Sequence, residues 1–519
     1  MTASGWQASN GAVGFDTVPR GSIPFGYERR LGRIGLNGRV EVEGVEVSTD
    51  HWIGGSRIGS GSTFTDVSPI DETTIAEVAR GGADEAARAV AAAKKGFETW
   101  GSMAPKERAE ILHRVGELIE ERAPDIAKVE TRDNGSLLRS MTNSVIPRAG
   151  YNFHFFADEL EKLSHDDFET RGHMNHVSWD PSGVAVVITP WNAPLMLATW
   201  RIAPALAAGD AVIAKPPEWA PLTASLLADI TKDAGMPDGA FNVVQGIGEE
   251  AGAALVAHPG VNRVAFTGSV ATGKLVAASA GANLTAVSLE LGGKAPFLIF
   301  ADTDLDAAVK QAVNQFDNAG QVCLAGTRLI VEDAIHDDFL GRFAEATAEI
   351  RQGDPREETT DLGPLITREH FQRVDGFVER AKFEGVETVF GGGPNEELGG
   401  LHYRPTLFRE PPRAAEILRD EVFGPVLTIQ RFSGEDEGVA MANDTMYGLS
   451  AIVYTGDPNR AERVSSALVA GTVWVNCFYV RDLRAPFGGS RNSGIGREGG
   501  VWSFDFYADV KNVCMAPWT

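Results

Sequence analysis

Apolar runs alternate with helix-length segments between residues 183 and 290 of this 519-residue chain. Five runs rich in β-branched residues are predicted to be strands: GVAVVITP, DAVIAKP, FNVVQG, NRVAFTG and TAVSLEL. The segments between them are predicted to be helices, at 197–208, 221–234, 249–257 and 271–281. This alternation predicts parallel βαβ units, which bind ligands at the carboxyl ends of their strands.

The chain before this region has a different pattern. Residues 1–48 are rich in Gly, Arg and polar residues without a sustained period, which predicts an extension with little core of its own. A hairpin at HWIGGSRI and amphipathic helices at 84–100 and 105–122 are predicted to follow. Another helix is predicted at 144–157, and it carries Arg148.

Length and charge narrow the possible functions. A chain of 519 residues exceeds one hydrophobic core, so two or three domains are expected. The formal net charge of −24, without any basic tract, disfavours nucleic acid or an anionic membrane surface as a partner. No apolar run reaches the length of a membrane span, and the N-terminus lacks the order of a signal peptide. A cytoplasmic location is therefore expected.

The three cysteines lie at 323, 477 and 514. They are too few and too scattered for a disulfide framework or a four-ligand zinc site, so no metal is expected. A lone cysteine is usually a small buried apolar residue. Cys514 fits that description in the predicted strand KNVCM, and Cys477 is a candidate for the wall of a pocket.

Cys323 has surroundings suited to chemistry. In FDNAGQVCLAGTR, small residues allow a substrate carbon to approach the sulfur and leave backbone N–H groups free for an oxyanion. Glu290 in SLELGGKAP supplies a base to activate water, and Asn192 in ITPWNAPLM supplies an amide donor. Both follow predicted strands, which is where ligands bind in such folds.

These residues, with further motifs in order, resemble the NAD(P)-dependent aldehyde dehydrogenase superfamily. The other motifs are AKPPEWAP, FTGS, EVFGPVL and PFGGSRNSGIGREGG, and the resemblance runs from about His51 to the C-terminus. It implies an α/β fold with a Rossmann-like NAD-binding domain at 49–164 and 182–290 and a catalytic domain at 291–502. It also implies an oligomerisation sheet from 165–181 and 503–519, and hence a homodimer or homotetramer.

The cofactor implied by the resemblance is NAD. A carboxylate at Glu218 beside Lys215 would accept hydrogen bonds from ribose hydroxyls and repel a 2′-phosphate, which favours NAD over NADP. The family's cofactor positions are matched by Thr189, Trp191, Lys215, Glu218, Gly268, Ser269, Glu421 and Phe423. The literal G-x-G-x-x-G at 494–499 is interpreted as fortuitous, because too little chain follows it for a βαβ unit.

The implied reaction begins with attack of the Cys323 thiolate on an aldehyde, with Asn192 and the Cys323 N–H meeting the oxyanion. Hydride loss leaves a thioester, which water activated by Glu290 hydrolyses. Glu498 matches a position that can relay the proton. Relatives that pass the acyl group to coenzyme A generally lack the glutamate, so a free carboxylic acid is the expected product.

The substrate is expected to be a small anionic semialdehyde. Arg148 and Arg481 match positions lining the family's substrate tunnel, where two guanidiniums require a carboxylate partner. The combination resembles the branch acting on hydroxymuconic and aminomuconic semialdehydes. Asp317 could instead pair with an arginine, and Arg484 is an alternative to Arg481. An uncharged or betaine-type aldehyde and a catalytically silent homologue remain the alternatives.

Overall fold

The computed structural model describes residues 38–163 and 166–518. Residues 1–37 of the predicted extension lie outside the described part. The rest of that extension differs from the prediction, because residues 39–48 form a hairpin in which Val40, Val42 and Val47 are buried in one cluster with Val129 and Leu222. The alternation of Val and Glu in RVEV and VEVS has the period of a strand with one buried face. This stretch therefore belongs to the folded chain.

Helices cover much of the described chain. In order they are α1 (Ala83–Trp100), α2 (Pro105–Glu121), α3 (Ala123–Asn134), α4 (Leu138–Ser140), α5 (Ile146–Lys162), α6 (Pro194–Ala208), α7 (Leu222–Asp233), α8 (Ala253–Ala257), α9 (Val270–Gly281), α10 (Leu305–Val313), α11 (His336–Ala348), α12 (Arg368–Phe383), α13 (Glu416–Arg419), α14 (Glu435–Asn443), α15 (Pro458–Ala467) and α16 (Gly500–Tyr507). Short π-helical turns precede α5 and α8, and a 3₁₀ segment, Asn314–Gly320, follows α10.

The strands form three sheets and two separate hairpins. In order they are β1 (Arg39–Val42), β2 (Val45–Ser48), β3 (His51–Ile53), β4 (Ser56–Ile58), β5 (Thr63–Val67), β6 (Thr74–Ala79), β7 (Asp166–Thr170), β8 (His173–Pro181), β9 (Val184–Ile188), β10 (Ala211–Lys215), β11 (Phe241–Val243), β12 (Arg263–Thr267), β13 (Ala286–Glu290), β14 (Pro296–Ile299), β15 (Arg328–Glu332), β16 (Glu387–Phe390), β17 (Thr406–Arg409), β18 (Val426–Phe432), β19 (Ser450–Tyr454), β20 (Thr472–Val475), β21 (Gly494–Ile495) and β22 (Ala508–Met515).

The predicted βαβ region forms the centre of an eight-stranded sheet with the order β21-β13-β12-β9-β10-β11-β3-β4. Neighbouring strands from β13 to β11 are parallel, as predicted. All five residues of β9 are buried because helices cover both faces of the sheet. The strand order reverses between β9 and β12, which is the topological switch point where such sheets bind ligands.

The second α/β region forms a seven-stranded sheet with the order β16-β17-β18-β15-β14-β19-β20. Its strands are parallel except for the edge strand β16, which pairs antiparallel with β17. The Cys323 loop lies between α10 and β15. The predicted α/β fold class is confirmed, whereas the domain boundaries stay a prediction.

A third, antiparallel sheet joins β7 and β8 to the C-terminal strand β22 in the order β22-β8-β7. The two segments predicted to share a sheet do so. Within the C-terminal segment, α16 continues to Tyr507 and β22 begins at Ala508. Between residues 38 and 518, apart from the two that are not described, no helix is long and apolar enough to cross a membrane.

Candidate active site

Cys323 lies in a tight loop that follows the 3₁₀ segment after α10. A Cβ on Gly320, whose φ is 69°, would collide with the backbone of Gly424, so only glycine fits where the loop turns. The sulfur is partly buried. Burial, followed by the nearby carboxylates of Glu421 and Glu290, raises the pKa of the thiol to about 12. The thiol is therefore protonated near neutral pH, and a nearby base has to accept its proton before the sulfur can attack.

Glu290 is the last residue of β13 and is only 7 % exposed. Burial raises the pKa of its carboxyl to about 7, an effect that Arg201 opposes and Glu498 reinforces. A carboxyl with such a pKa can both hold and release a proton near neutral pH, which is the property of a general base. Glu290 and Cys323 influence each other electrostatically, so the structure brings these two predicted residues together.

Asn192 follows β9 and contacts the loop that carries Cys323. Its Nδ2 donates to the backbone carbonyl of Gln321 at 2.9 Å, and Asn318 Nδ2 donates to the Asn192 carbonyl at 3.1 Å. An amide nitrogen has two N–H groups, so one remains for a ligand. Cys323, Glu290 and Asn192 therefore converge from three separate segments.

Glu498 is fully buried, and both of its carboxylate oxygens accept hydrogen bonds. Its Oε1 accepts from Arg201 Nη1 at 3.0 Å and from the Ser288 hydroxyl at 2.8 Å. Its Oε2 accepts from the Ser503 hydroxyl at 3.0 Å. Both ion-pair partners are essentially inaccessible to solvent. This geometry shows Glu498 holding Arg201 near Glu290, and the relay role of Glu498 stays a prediction.

The chain matches the aldehyde dehydrogenase family over residues 57–513. It belongs to the aldehyde dehydrogenase family. The enzyme is 42 % identical over 479 residues to a 2-hydroxymuconic semialdehyde dehydrogenase from Pseudomonas sp. (strain CF600), covering 90 % of this chain and 99 % of the relative. It is 39 % identical over 469 residues to a betaine aldehyde dehydrogenase from Brucella anthropi, covering 89 % and 96 %.

A solved structure with similar architecture is the indole-3-acetaldehyde dehydrogenase of P. syringae, a mutant in complex with NAD+ and IAA. Its TM-score is 0.89 at 36 % identity, over 91 % of this chain and 97 % of that chain. The predicted resemblance to the family, and to the hydroxymuconic semialdehyde dehydrogenases within it, is confirmed. The fold and the intact chemical residues make this chain an aldehyde dehydrogenase enzyme.

Several predicted cofactor residues lie at the carboxyl ends of β9, β10 and β12. Thr189 follows β9, and the Ser269 hydroxyl caps α9 by accepting from the Thr272 N–H at 3.1 Å. The first turn of a helix has N–H groups without intrahelical partners, and these suit a pyrophosphate. A Cβ on Gly268 would approach the Phe266 ring to 2.6 Å, so this turn is closely packed.

Lys215 and Glu218 form an ion pair of 2.8 Å just beyond β10. Lys215 is 1 % exposed, whereas the Glu218 side chain is one-third accessible. Burial alone would raise the pKa of Glu218, but the nearby Lys215 ammonium acts against it, and the pKa lies below its usual value. An ionised and accessible carboxylate at a strand end fits hydrogen bonds from ribose hydroxyls.

An aromatic cluster contains Trp191, which follows β9, and Phe423, which precedes β18; their ring centroids lie 5.3 Å apart at nearly a right angle. His370 contacts both rings. Next to it, Glu421 Oε1 accepts from the Gly293 N–H at 2.9 Å, and burial raises the pKa of Glu421 to about 7. These residues form an aromatic surface beside a carboxyl, which fits a nicotinamide ribose and ring.

Arg148 and Arg481 meet over one aromatic ring. Their guanidinium carbons lie 5.8 Å and 5.0 Å from the centre of the Trp200 ring, and Arg481 also stacks on Phe487 at 3.8 Å. Arg148 Nε donates to the Asn152 side chain at 3.0 Å, and the buried Nη2 of Arg481 has no hydrogen-bond partner. Within the described chain, neither guanidinium has a carboxylate at salt-bridge distance.

Asp317 does not neutralise these arginines. Burial raises the pKa of its carboxyl, and the cation that opposes this rise is Arg139, which itself forms an ion pair with Asp361 at 3.0 Å. The Asp317 side chain is solvent-exposed, yet surrounding protein raises the pKa of its carboxyl, a combination expected for the wall of a concave site. Arg484, the alternative to Arg481, is exposed and paired with Asp482.

Some residues of the site were not anticipated from the sequence. Arg201, Ser288 and Ser503 hold Glu498, and Trp200 supports both tunnel arginines. One available signal was a single cation in the apolar helix PLMLATWRIAPALAA, because a buried charge requires a partner. Its partner, 297 residues away, had no signal in the sequence.

Proposed function

We propose that this enzyme oxidises a small carboxylate-bearing semialdehyde, of the 2-hydroxymuconate type, to the dicarboxylic acid with NAD. The observation that carries the proposal is the pair of tunnel guanidiniums, Arg148 and Arg481, stacked on Trp200 without a carboxylate of the described chain at salt-bridge distance. Two partly buried cations are unfavourable unless an anion joins them. A substrate carboxylate would complete this arrangement.

The chemical steps follow from the positions of the other residues. The proton of the Cys323 thiol passes to a nearby base, and Cys323 Sγ bonds to the aldehyde carbon. The oxyanion is met by the free N–H of Asn192 and by the Cys323 N–H, which lies close enough to its own sulfur to lower the thiol pKa. Glu290 removes a proton from the water that hydrolyses the thioester.

NAD, when bound, accepts the hydride that leaves the substrate carbon. Residues beyond the strand ends fit it: Glu218 for the ribose hydroxyls, the α9 N-terminus for the phosphates, and Glu421 with Phe423 for the nicotinamide half. The NAD+ complex of the P. syringae enzyme supports this choice. Glu218 carries a negative charge that disfavours the 2′-phosphate of NADP.

The betaine aldehyde dehydrogenase relative suggests a different substrate class. Betaine aldehyde is a cation, and Arg148 and Arg481 would repel it at the same place where they attract an anion. A silent homologue is disfavoured because Cys323, Glu290 and Asn192 are intact and adjacent.

The test compares a carboxylate-bearing semialdehyde with its methyl ester, which keeps the carbon skeleton and removes the charge. NADH formation is measured for both substrates. We expect kcat/KM for the ester to be lower by about 30-fold or more, since loss of one partner of a buried charge pair costs about 2–5 kcal/mol. An ester that is oxidised as well as the acid would contradict the substrate proposal.

A homodimer or homotetramer is proposed from the small antiparallel sheet. Strands β7, β8 and β22 expose several large apolar side chains: Phe168, Met174, Val510, Val513 and Met515. Contact with a second copy would remove these side chains from water. Light scattering measures the assembly mass directly.

A cytoplasmic location also stays a proposal, supported by the three free cysteines, which suit a reducing compartment.

A further inference from the structure

The three residues Asn318, Ala319 and Gly320 all have left-handed backbone conformations shortly before Cys323. Their φ values are 50°, 56° and 69°. Two of the three carry a Cβ, which makes this conformation unfavourable. Such a conformation persists only where surrounding contacts hold it, and it is typical of functional sites. The contacts of this segment therefore indicate what it positions.

Asn318 connects three parts of the chain. Its Oδ1 accepts from the buried Ser136 hydroxyl at 2.9 Å, in the loop that follows α3. Its Nδ2 donates to the backbone carbonyl of Asn192 at 3.1 Å. Its own carbonyl accepts from Gln321 Nε2 at 2.9 Å and from the Gln321 N–H at 3.1 Å. Both ends of the side-chain amide are thus in use.

Gln321 completes a ring of hydrogen bonds around Asn192. Its backbone carbonyl accepts from Asn192 Nδ2 at 2.9 Å, and its Oε1 accepts from the Ile366 N–H at 3.0 Å. Gln321 is 1 % exposed, so these contacts are shielded from water. Asn192 is consequently tied to the nucleophile loop through its backbone and through its side chain.

We propose that Asn318 is a positioning residue that aims the free N–H of Asn192 at the oxyanion formed on Cys323. The inference rests on the proposed function, in which Asn192 is the oxyanion donor. The hydrogen bond from Asn318 Nδ2 holds the Asn192 backbone carbonyl. The hydrogen bond to the Gln321 carbonyl uses one hydrogen of the Asn192 amide, so the other hydrogen is left for the oxyanion. A donor displaced by about 1 Å loses on the order of 100-fold in rate.

The test variant is Asn318→Asp, which preserves the size of the side chain and the acceptor for Ser136 but removes the N–H donated to Asn192. We expect kcat to fall about 10- to 100-fold while the KM for the aldehyde changes less than about threefold. Asn314→Asp is the matched control, an exposed position on the same 3₁₀ segment, and should keep wild-type kcat.

Two further measurements separate positioning from general damage to the loop. The rate of Cys323 alkylation by iodoacetamide, corrected by its pH dependence for any shift of the thiol pKa that the added carboxylate causes, should be unchanged in Asn318→Asp, because alkylation develops no oxyanion. In an Asn192→Ala background, Asn318→Asp should lower kcat by less than about threefold, since residues that act as a unit are not additive. If Asn318→Asp does not accumulate as folded protein, Ser136→Ala removes the hydroxyl that donates to the Asn318 side chain. Its effect on kcat is then compared in the wild-type and the Asn192→Ala backgrounds in the same way.

Independent, multiplicative losses in the double variant would overturn the inference, as would a parallel change in alkylation rate. Those outcomes would leave the role of Asn192 intact, provided that Asn192→Ala alone lowers kcat. Full activity of Asn192→Ala would instead refute the oxyanion role in the proposed function and this inference with it.

Discussion

Replacing Arg481 with glutamine is the sharpest perturbation of substrate recognition. Its guanidinium stacks on Phe487 and Trp200 and has a buried nitrogen without a hydrogen-bond partner. Burial and the neighbouring Arg148 lower the pKa of Arg481 to about 10. Arg481→Gln retains a polar side chain but removes the charge. The repulsion between the two arginines also disappears.

The expected magnitude follows from the charge pair that a substrate carboxylate would form. Truncating one partner of such a pair costs about 2–5 kcal/mol. Because Arg148 still supplies a cation over the same ring, we expect the lower part of this range, about 2–3 kcal/mol, or about a 30- to 150-fold loss of kcat/KM.

The assay is NADH formation with the semialdehyde and with its methyl ester. The loss should appear with the acid and be absent, within about threefold, with the ester. Arg484→Gln is the matched control on the same loop, because Arg484 is exposed and already paired with Asp482. Equal losses for both substrates, or the same acid-selective loss in Arg484→Gln, would refute the reasoning.

The remaining predictions concern pH and cofactor choice. Glu290 must be ionised to activate water, and its pKa is raised to about 7, so kcat should rise with pH through about 7 and then level off; a profile without that limb would contradict its role as base. Glu218→Gln should lower the preference for NAD over NADP by about tenfold, measured as a ratio of kcat/KM values, because the carboxylate facing a 2′-phosphate is gone. Burial raises the pKa of Glu130 from 4.5 to about 8, so its protonated form stabilises the fold at low pH and that contribution is lost as pH rises to about 8. Glu130→Gln should therefore flatten the fall of Tm between about pH 4.5 and about pH 8, and an unchanged slope would contradict this assignment.

Much of the fold could be predicted from local patterns. The strands of the βαβ region have continuous β-branched runs because both faces are buried, and the helices between them have the matching period. The hairpin at 39–48 was missed because its short Val and Glu alternation directly follows a glycine-rich stretch without any period.

The candidate site could be predicted only in part. Motifs locate Cys323, Glu290 and Asn192 at strand ends and loops, and the topology then brings them together. Side-chain pairing over long separations has no such signal. The sequence left open whether Asp317 pairs with the tunnel arginines, whereas the folded chain places Arg139 near it instead. The same limitation concealed the Arg201–Glu498 ion pair.

The central claim is that the acyl group is carried by Cys323 before water releases it. The most direct measurement is acid quenching during turnover, followed by mass spectrometry of the cysteine-containing peptides. The account predicts an acyl adduct on the Cys323 peptide, removable by hydroxylamine, and none on Cys477, the other partly buried cysteine. An adduct on Cys477 alone, or full turnover by Cys323→Ser, would contradict it.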